Sequence, residues 1–146
     1  MREAWAIREI NEEVLNTSKQ LGVNNIIFYG GPGVSGPNNQ PLDCYKIYKE
    51  IIKKLNSYGL NLAGVESGFF IDPYYWDVVS GGPKRDEQIE DLIKQIRDMA
   101  RAGVSVLGYS WMPLGPIRTE PLIIRGNASG TAFDIKSKNL ELAGKN

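Results

Sequence analysis

The chain repeats one structural unit three times: an amphipathic helix, a glycine and a short apolar strand. Apolar residues at helical spacing predict the helices, which cover residues 2–21, 42–58 and 86–102. A glycine follows each helix, at the place where a left-handed residue commonly ends one; the three are Gly22, Gly59 and Gly103. Apolar runs behind these glycines predict strands over residues 23–29, 60–66 and 104–110. Such an alternation is typical of α/β proteins.

The connections between these elements are asymmetric. A glycine and one or two further residues join each helix to the next strand. The segments that leave the strands are long, as from Gly30 to Pro41 and from Ser67 to Arg85. Short turns into the strands and long loops out of them are typical of a parallel sheet whose site lies at the carboxyl ends of its strands.

The length of the repeat favours a piece of a barrel. Gly22 and Gly59 are 37 residues apart and Gly59 and Gly103 are 44 apart, so eight units need about 320 residues, within the range of (β/α)8 barrels. We therefore expect an α/β fold, a partial (β/α)8 TIM barrel with about three parallel strands and their helices. Residues 1–146 are predicted to be a single N-terminal fragment of such a domain. Residues 1–22 would be a helix without its preceding strand, and residues 135–146 a polar tail. A small open α/β domain is the alternative.

Composition narrows the classes of function. Lysine and arginine together number 17, as do aspartate and glutamate, so the formal net charge is zero and a nucleic-acid partner is disfavoured. No apolar run reaches the roughly 20 residues of a membrane span, and the polar, charged start does not resemble a signal peptide. We expect a cytoplasmic protein that binds neither nucleic acid nor a membrane.

The sequence contains no histidine and a single cysteine. The usual general base near neutral pH and the commonest metal ligand are therefore both missing. Cys44 falls inside the second predicted helix and is interpreted as a packed residue without chemistry. No spacing of carboxylates typical of a calcium loop is present. The residues alone thus predict no metal ligand, and the catalytic residues are unknown.

A glycine motif follows the first predicted strand. Residues 31–36 read G-P-G-V-S-G, which matches the dinucleotide-binding pattern G-x-G-x-x-G. In that pattern the helix begins within the motif, whereas turn-forming residues 37–41 intervene here. The acid that would bind the ribose, Glu66, lies 35 residues beyond Gly31, against about 20 in the pattern. We interpret the run as a glycine-rich active-site loop, and nucleotide binding is kept as an alternative.

Polar and aromatic side chains mark the loops that leave the strands. Glu66 closes an apolar strand, where an unpaired carboxylate is costly, so it either accepts structural hydrogen bonds or contacts the substrate. Arg118 follows the third strand and holds either a substrate carboxylate or a surface ion pair. The aromatic residues of the second long loop form either a lid or a contact with a neighbouring subunit. They are Phe69, Phe70, Tyr74, Tyr75 and Trp76.

Several segments resemble the N-terminal part of mannonate dehydratases. They are V-E-S at 65–67, R-D-E at 85–87, Y-S-W-M-P at 109–113, R-T at 118–119 and G-T-A-F-D at 130–134. They follow the family's order and spacing, and the resemblance covers about residues 20–134. It implies a TIM barrel similar to that of xylose isomerase. It also implies a lyase of carbohydrate metabolism that removes water from D-mannonate to give 2-keto-3-deoxy-D-gluconate, in hexuronate (glucuronate) catabolism.

The resemblance further implies substrate contacts and a metal. By their positions in the motifs, Glu66, Tyr109, Arg118 and Thr119 are candidate substrate-binding residues. The family uses Mn²⁺ or Fe²⁺, held by histidines, a cysteine and an aspartate from the second half of the barrel. Since this sequence has no histidine, we expect this chain alone to bind no metal and to be inactive without that half.

The partners implied by the resemblance are the sugar acid and, in the full-length form, further copies of the chain in a homo-oligomer. Two other functions stay open at this point. One is a sugar isomerase or epimerase that shares the xylose isomerase-like barrel. The other is a half-barrel remnant without catalysis.

Overall fold

The structure, a computed structural model, describes residues 3–31, 42–67, 73–110 and 117–137. The glycine motif beyond Gly31, the first part of the aromatic loop and the tail beyond residue 137 lie outside these ranges. Contacts group the chain into two compact units, Met1–Trp111 and Met112–Asn146. The single barrel domain over residues 1–146 stays a prediction.

The first unit is a parallel sheet with helices between its strands. Its strands are β1 Trp5–Ile7, β2 Asn25–Gly31, β3 Asn61–Ser67 and β4 Leu107–Tyr109. Its helices are α1 Glu12–Gln20, α2 Cys44–Ser57, α3 Trp76–Ser80 and α4 Arg85–Ala102, and a 3₁₀ turn over Pro73–Tyr75 precedes α3. The strands lie in the order β1-β2-β3-β4, and all neighbours are parallel. The predicted α/β class and the parallel sheet are confirmed.

The predicted helix over residues 2–21 is wrong in its first half. Trp5–Ile7 forms β1, which pairs with β2, and α1 begins only at Glu12. Asn11 explains the boundary because its side-chain oxygen accepts a hydrogen bond from the Val14 N–H at 2.9 Å and so caps the helix. The first helix therefore does have a preceding strand, and the sheet has four strands where about three were expected.

The other boundaries agree with the sequence to within a few residues. The glycines behind α1, α2 and α4 all have the left-handed conformation, with φ of 73°, 72° and 112°, as predicted. β4 is the exception, since the predicted strand begins at residue 104 and the observed one at Leu107. Val104 instead packs into the core next to the end of α4.

Two apolar clusters join the helices to a single face of the sheet. One cluster joins β1, β2, α1 and α2, and its buried members are Ile7, Leu15, Ile26, Leu55 and Leu60. The other joins β3, α2 and α4, and its buried members are Cys44, Tyr48, Val65, Tyr75, Leu92, Met99, Ala102 and Val104. A fully buried aliphatic side chain contributes about 1.5–3 kcal/mol. These clusters therefore hold the helices on the sheet.

A series of hydrogen bonds between buried polar side chains crosses the cluster that joins β3, α2 and α4. The Cys44 thiol donates to Gln95 Oε1 at 3.5 Å, and the Gln95 amide donates to the Tyr75 hydroxyl at 2.6 Å. Cys44, Gln95 and Tyr75 are all fully buried. The neighbouring Tyr74 donates to the Asp91 carboxylate on α4. Two of the aromatic residues predicted to form a lid or a subunit contact thus pack against a helix of their own chain.

Asp98 forms two ion pairs with basic side chains of α4. Its carboxylate accepts from Lys94 at 2.8 Å and from Arg101 at 3.0 Å, and the Arg101 guanidinium lies 5.0 Å from the ring centre of Tyr45 on α2. The hydrogen bond from Lys94, together with the two positive charges, holds the pKa of Asp98 below its ordinary value. Asp98 therefore stabilises α4 while it is ionised.

The second unit contains an antiparallel hairpin. Its strands are β5 Leu122–Ile124 and β6 Ala128–Gly130, joined by Arg125–Asn127. The turn needs two residues with positive φ, and Gly126 and Asn127 supply them at 72° and 61°. Asparagine tolerates this conformation better than most residues. The apolar residues of β5 are all exposed.

We predict that Tyr75→Phe lowers the free energy of unfolding by about 1–3 kcal/mol, because the buried Gln95 amide loses its acceptor. Urea unfolding followed by circular dichroism measures the change. Tyr45→Phe is the matched control, since Tyr45 is exposed and the variant keeps the ring beneath Arg101. Equal stabilities of the two variants would contradict the role of the Gln95 hydrogen bond.

A second prediction concerns pH. Because the pKa of Asp98 is lowered in the folded chain, the stability it contributes is complete above its ordinary value of 3.8 and is lost as the pH falls through the lower folded value. Asp98→Asn should therefore be less stable than the wild type at neutral pH, and the gap should close in acid. Glu50→Gln is the control, because Glu50 lies at an exposed position inside α2 and forms no ion pair within the described residues. A gap for Asp98→Asn that does not change with pH would refute the assignment.

Candidate active site

The carboxyl ends of the parallel strands bring several sequence segments together. In the register of the sheet, Tyr29 on β2 lies opposite Glu66 on β3, and Glu66 lies opposite Gly108 on β4. Neighbouring strands are about 4.8 Å apart. The three positions therefore form a row across the sheet near its carboxyl edge, where the loop pattern of the sequence predicts the site.

The row lies on the face opposite to α1, α2 and α4, which is called the uncovered face because no helix in the described ranges packs on it. One step back along the strands, Phe28, Val65 and Leu107 are opposite one another, and all three belong to or pack against the apolar clusters. Side chains alternate between the two faces of a strand. Tyr29 and Glu66 therefore point away from α1, α2 and α4. In a closed barrel this face is the interior.

Gly108 leaves space beside the Glu66 side chain. A Cβ atom added at Gly108 would lie 3.9 Å from Glu66 Cγ, an ordinary contact distance. The carboxylate is half-buried and lies next to this open position. Within the described residues, Glu66 takes part in no ion pair, so the structure leaves it able to meet a ligand.

Arg8 also belongs to this edge, although the sequence did not indicate it. It follows the last residue of β1, and its guanidinium carbon lies 4.7 Å from the ring centre of Tyr29. The contact places Arg8 on the same face as Tyr29 and Glu66. In the sequence, Trp5 and Ile7 alternate as in a short strand that ends just before Arg8. The prediction of a helix over these residues obscured this pattern.

Tyr109 reaches the same edge but lies on the other face according to the register. It is opposite Ser67 and follows Gly108, so alternation places it with Leu107 rather than with Glu66. Its side chain is 64% exposed. The structure thus brings Glu66 and Tyr109 to one edge without placing them on one face, and the predicted role of Tyr109 as a substrate contact stays a prediction.

Arg118 and Thr119 belong to the second unit. Arg118 is exposed. The Thr119 N–H donates to the Ala132 carbonyl at 2.9 Å, and its hydroxyl accepts from the Asp134 N–H at 3.0 Å. These bonds join the R-T segment to the G-T-A-F-D segment, two of the motifs that carry the family resemblance. The predicted substrate contacts at Arg118 and Thr119 stay predictions.

The residues that the structure describes offer few ligands to a metal ion. Within the residues that the structure describes, no group of three or more histidine, cysteine, aspartate or glutamate side chains is close enough to hold an ion. The whole sequence lacks histidine, and Cys44 is buried between α2 and α4. Glu66 alone supplies a carboxylate to the row, which does not fit the Mn²⁺ or Fe²⁺ site that the resemblance implies.

A cavity of about 330 Å³ lies beside β1 and is lined by Trp5, Ala6, Ile7, Arg8, Glu9 and Val14. Its walls are mostly apolar, and Arg8 and Glu9 supply the charged groups.

None of the helices in the described ranges combines the length and the apolar character needed to cross a membrane.

Comparison with known proteins agrees with this geometry. The family model described as D-mannonate dehydratase (UxuA) matches residues 1–142. A mannonate dehydratase from Brachyspira hyodysenteriae is 33% identical over 66 residues, which are 45% of this chain and 18% of that protein. The crystal structure of mannonate dehydratase from Streptococcus suis serotype 2 superposes with a TM-score of 0.68 at 21% identity, over 98% of this chain and 42% of that one.

The structural match confirms the predicted partial TIM barrel. The order of the four parallel strands with intervening helices is that of consecutive βα units. The chain spans 18% of the length of the Brachyspira hyodysenteriae protein and 42% of the Streptococcus suis one.

We predict that Cys44 is chemically inert in the folded chain. Burial raises the pKa of its thiol to about 11, and the reactive species is the thiolate. A thiol reagent such as dithionitrobenzoate should react slowly with the native chain and fully after addition of denaturant. Ser57→Cys, at an exposed position on the same helix, is the control and should add one thiol that reacts at once. Rapid native reaction of Cys44 would contradict its buried position.

Proposed function

The chain belongs to the mannonate dehydratase family, and we propose that it forms one wall of the sugar-acid pocket in an enzyme that removes water from D-mannonate. The observation that carries the proposal is the row of Tyr29, Glu66 and Gly108 on the uncovered face at the carboxyl edge of the sheet. Active sites of TIM barrels lie at this edge. The family match and the position of the row thus support the same site.

The proposed reaction is an elimination across C2 and C3 of the sugar acid. A base removes the proton from C2, next to the carboxylate, and hydroxide leaves C3 and takes up a proton to become water. The resulting enol rearranges to a ketone at C2, which gives 2-keto-3-deoxy-D-gluconate. The reaction belongs to glucuronate catabolism.

Glu66 is proposed to contact the hydroxyl groups of the substrate. A carboxylate accepts hydrogen bonds from hydroxyls, and its position beside Gly108 leaves room for them. Arg118, Thr119 and Tyr109 are proposed as further substrate contacts because of their positions in the motifs that resemble the family. None of these four residues is assigned as the catalytic base.

The residues of this chain do not fit the divalent metal of the family. With no histidine in the sequence, the ligands for Mn²⁺ or Fe²⁺ are proposed to come from a part of the enzyme outside these 146 residues. The role proposed for this chain is therefore to shape the pocket and bind the substrate.

The same lack of metal ligands favours a second function, a half-barrel that binds sugar acids without converting them. A sugar isomerase or epimerase is the remaining enzymatic alternative. A cytoplasmic location and a homo-oligomeric full-length form also remain proposals.

The test is the conversion of D-mannonate to 2-keto-3-deoxy-D-gluconate in the presence of Mn²⁺. We expect no product from this chain alone, and product after it is mixed with the C-terminal part of a mannonate dehydratase, which supplies the remaining barrel strands and histidines. In the mixture, Glu66→Gln should lower kcat/KM by about tenfold or more, since hydrogen bonds to charged groups contribute about 1.5–3 kcal/mol.

Glu50→Gln, at an exposed position on α2, is the control and should leave kcat/KM unchanged. Turnover by this chain alone would contradict the proposal. Binding of D-mannonate by the mixture without turnover would favour the non-catalytic half-barrel.

A further inference from the structure

Arg8 is held in place by an aromatic ring. Its guanidinium carbon lies 4.7 Å from the ring centre of Tyr29, within the range of a cation–π contact. Such a contact restricts the long side chain to one region above the ring. Less conformational freedom is then lost when the guanidinium binds an anion.

The charge of Arg8 is not neutralised within the described residues. The ion pairs found there are Arg85–Asp86, Lys94–Asp98 and Arg101–Asp98. The nearest acid in the sequence, Glu9, instead accepts a hydrogen bond from the Asn11 amide at 2.9 Å, next to the start of α1. The hydrogen-bond donors of Arg8 therefore remain available to a ligand.

Arg8 and Glu66 lie on one face with a single strand between them. Ile7 is opposite Phe28, Arg8 follows Ile7, and Tyr29 is opposite Glu66. Two strand spacings separate β1 from β3, which is about 10 Å. Within the described ranges the two side chains form no ion pair, so a ligand that lies across β2 can meet a cation at one end and a carboxylate at the other.

We propose that Arg8 binds the carboxylate of the sugar acid, while the hydroxyl-bearing end of the ligand lies toward Glu66. The proposal rests on the proposed function and names the residue that selects an acid over a neutral sugar. The planar guanidinium binds a carboxylate through two parallel hydrogen bonds. Glu66 repels a carboxylate and accepts hydrogen bonds from hydroxyls, so the two charges fix the direction of the ligand.

The test is calorimetric titration of the full chain with D-mannonate, D-gluconate and the neutral polyol D-mannitol. Arg8→Gln should weaken the binding of D-mannonate by about tenfold or more and leave that of D-mannitol unchanged. Arg8→Lys keeps the positive charge but cannot form two parallel hydrogen bonds to a carboxylate, so its affinity for D-mannonate should lie between those of the wild type and Arg8→Gln. Arg97→Gln, at an exposed position on α4, is the control and should bind as the wild type does.

Tyr29 variants test the positioning of Arg8. Tyr29→Phe keeps the ring and should retain most of the affinity for D-mannonate, whereas Tyr29→Leu removes the ring and should weaken binding. Thermal unfolding of each variant, followed by circular dichroism, shows whether the fold is retained. A loss of affinity in Tyr29→Leu without loss of the fold supports the contact.

The outcomes separate this proposal from the proposed function. If wild type and Arg8→Gln bind D-mannonate equally, the role of Arg8 is overturned and the pocket proposal stands. If the chain binds D-gluconate through Arg8 but does not bind D-mannonate, the carboxylate contact stands and the proposed substrate is wrong. If neither acid binds, or both acids bind no better than D-mannitol, the Arg8 proposal is overturned.

Discussion

The packing of α1, α2 and α4 on one face of a parallel sheet is the constraint on which the first unit depends. The helix-side residues of the strands, among them Ile7, Ile26 and Val65, are buried in the two apolar clusters. Parallel sheets are normally covered on both faces. In a barrel the second face is covered by the opposite strands, so the residues on it are free of helix contacts. Because Tyr29 and Glu66 alternate with helix-side residues, the packing that builds the core also exposes the candidate site.

Much of this architecture is predictable from local signals. The glycines behind three helices and the apolar spacing within α2 and α4 identify those elements, because each signal acts within a few residues. The first strand could not be identified in this way. Ile7 and Ile10 fit a helical spacing with Val14, and only the cap at Asn11 shows that the helix starts later. That error also hid Arg8, because a residue is recognised as lying at a strand end only once the strand is known.

The site residues show a second limit of sequence reasoning. Glu66 and Tyr109 both come from strand ends in family motifs, yet the face on which each lies depends on the pairing of β3 with β4. A shift of one residue in a strand reverses the face of every side chain, so the register decides which of them share a face. The aromatic loop is a similar case. Tyr75 suggested a functional cluster, but it accepts a hydrogen bond from Gln95. Helical spacing places Gln95 on the core face of α4 between Leu92 and Met99, but it does not show which side chain pairs with a polar residue there.

The charges on the uncovered face have a consequence for the kind of ligand that fits there. A lone carboxylate on a barrel interior favours either a metal or a hydrogen-bond donor as its neighbour. Within the described residues, Glu66 belongs to no group of three or more possible metal ligands, so hydroxyl groups are the chemistry that suits it. A guanidinium two strands away suits an anion. A molecule with a carboxylate at one end and hydroxyls along its length satisfies both groups at once. A neutral sugar would leave the cation without a partner, and a simple carboxylate would leave Glu66 without hydrogen bonds. The charges on this face therefore agree with the sugar-acid ligand proposed for the chain.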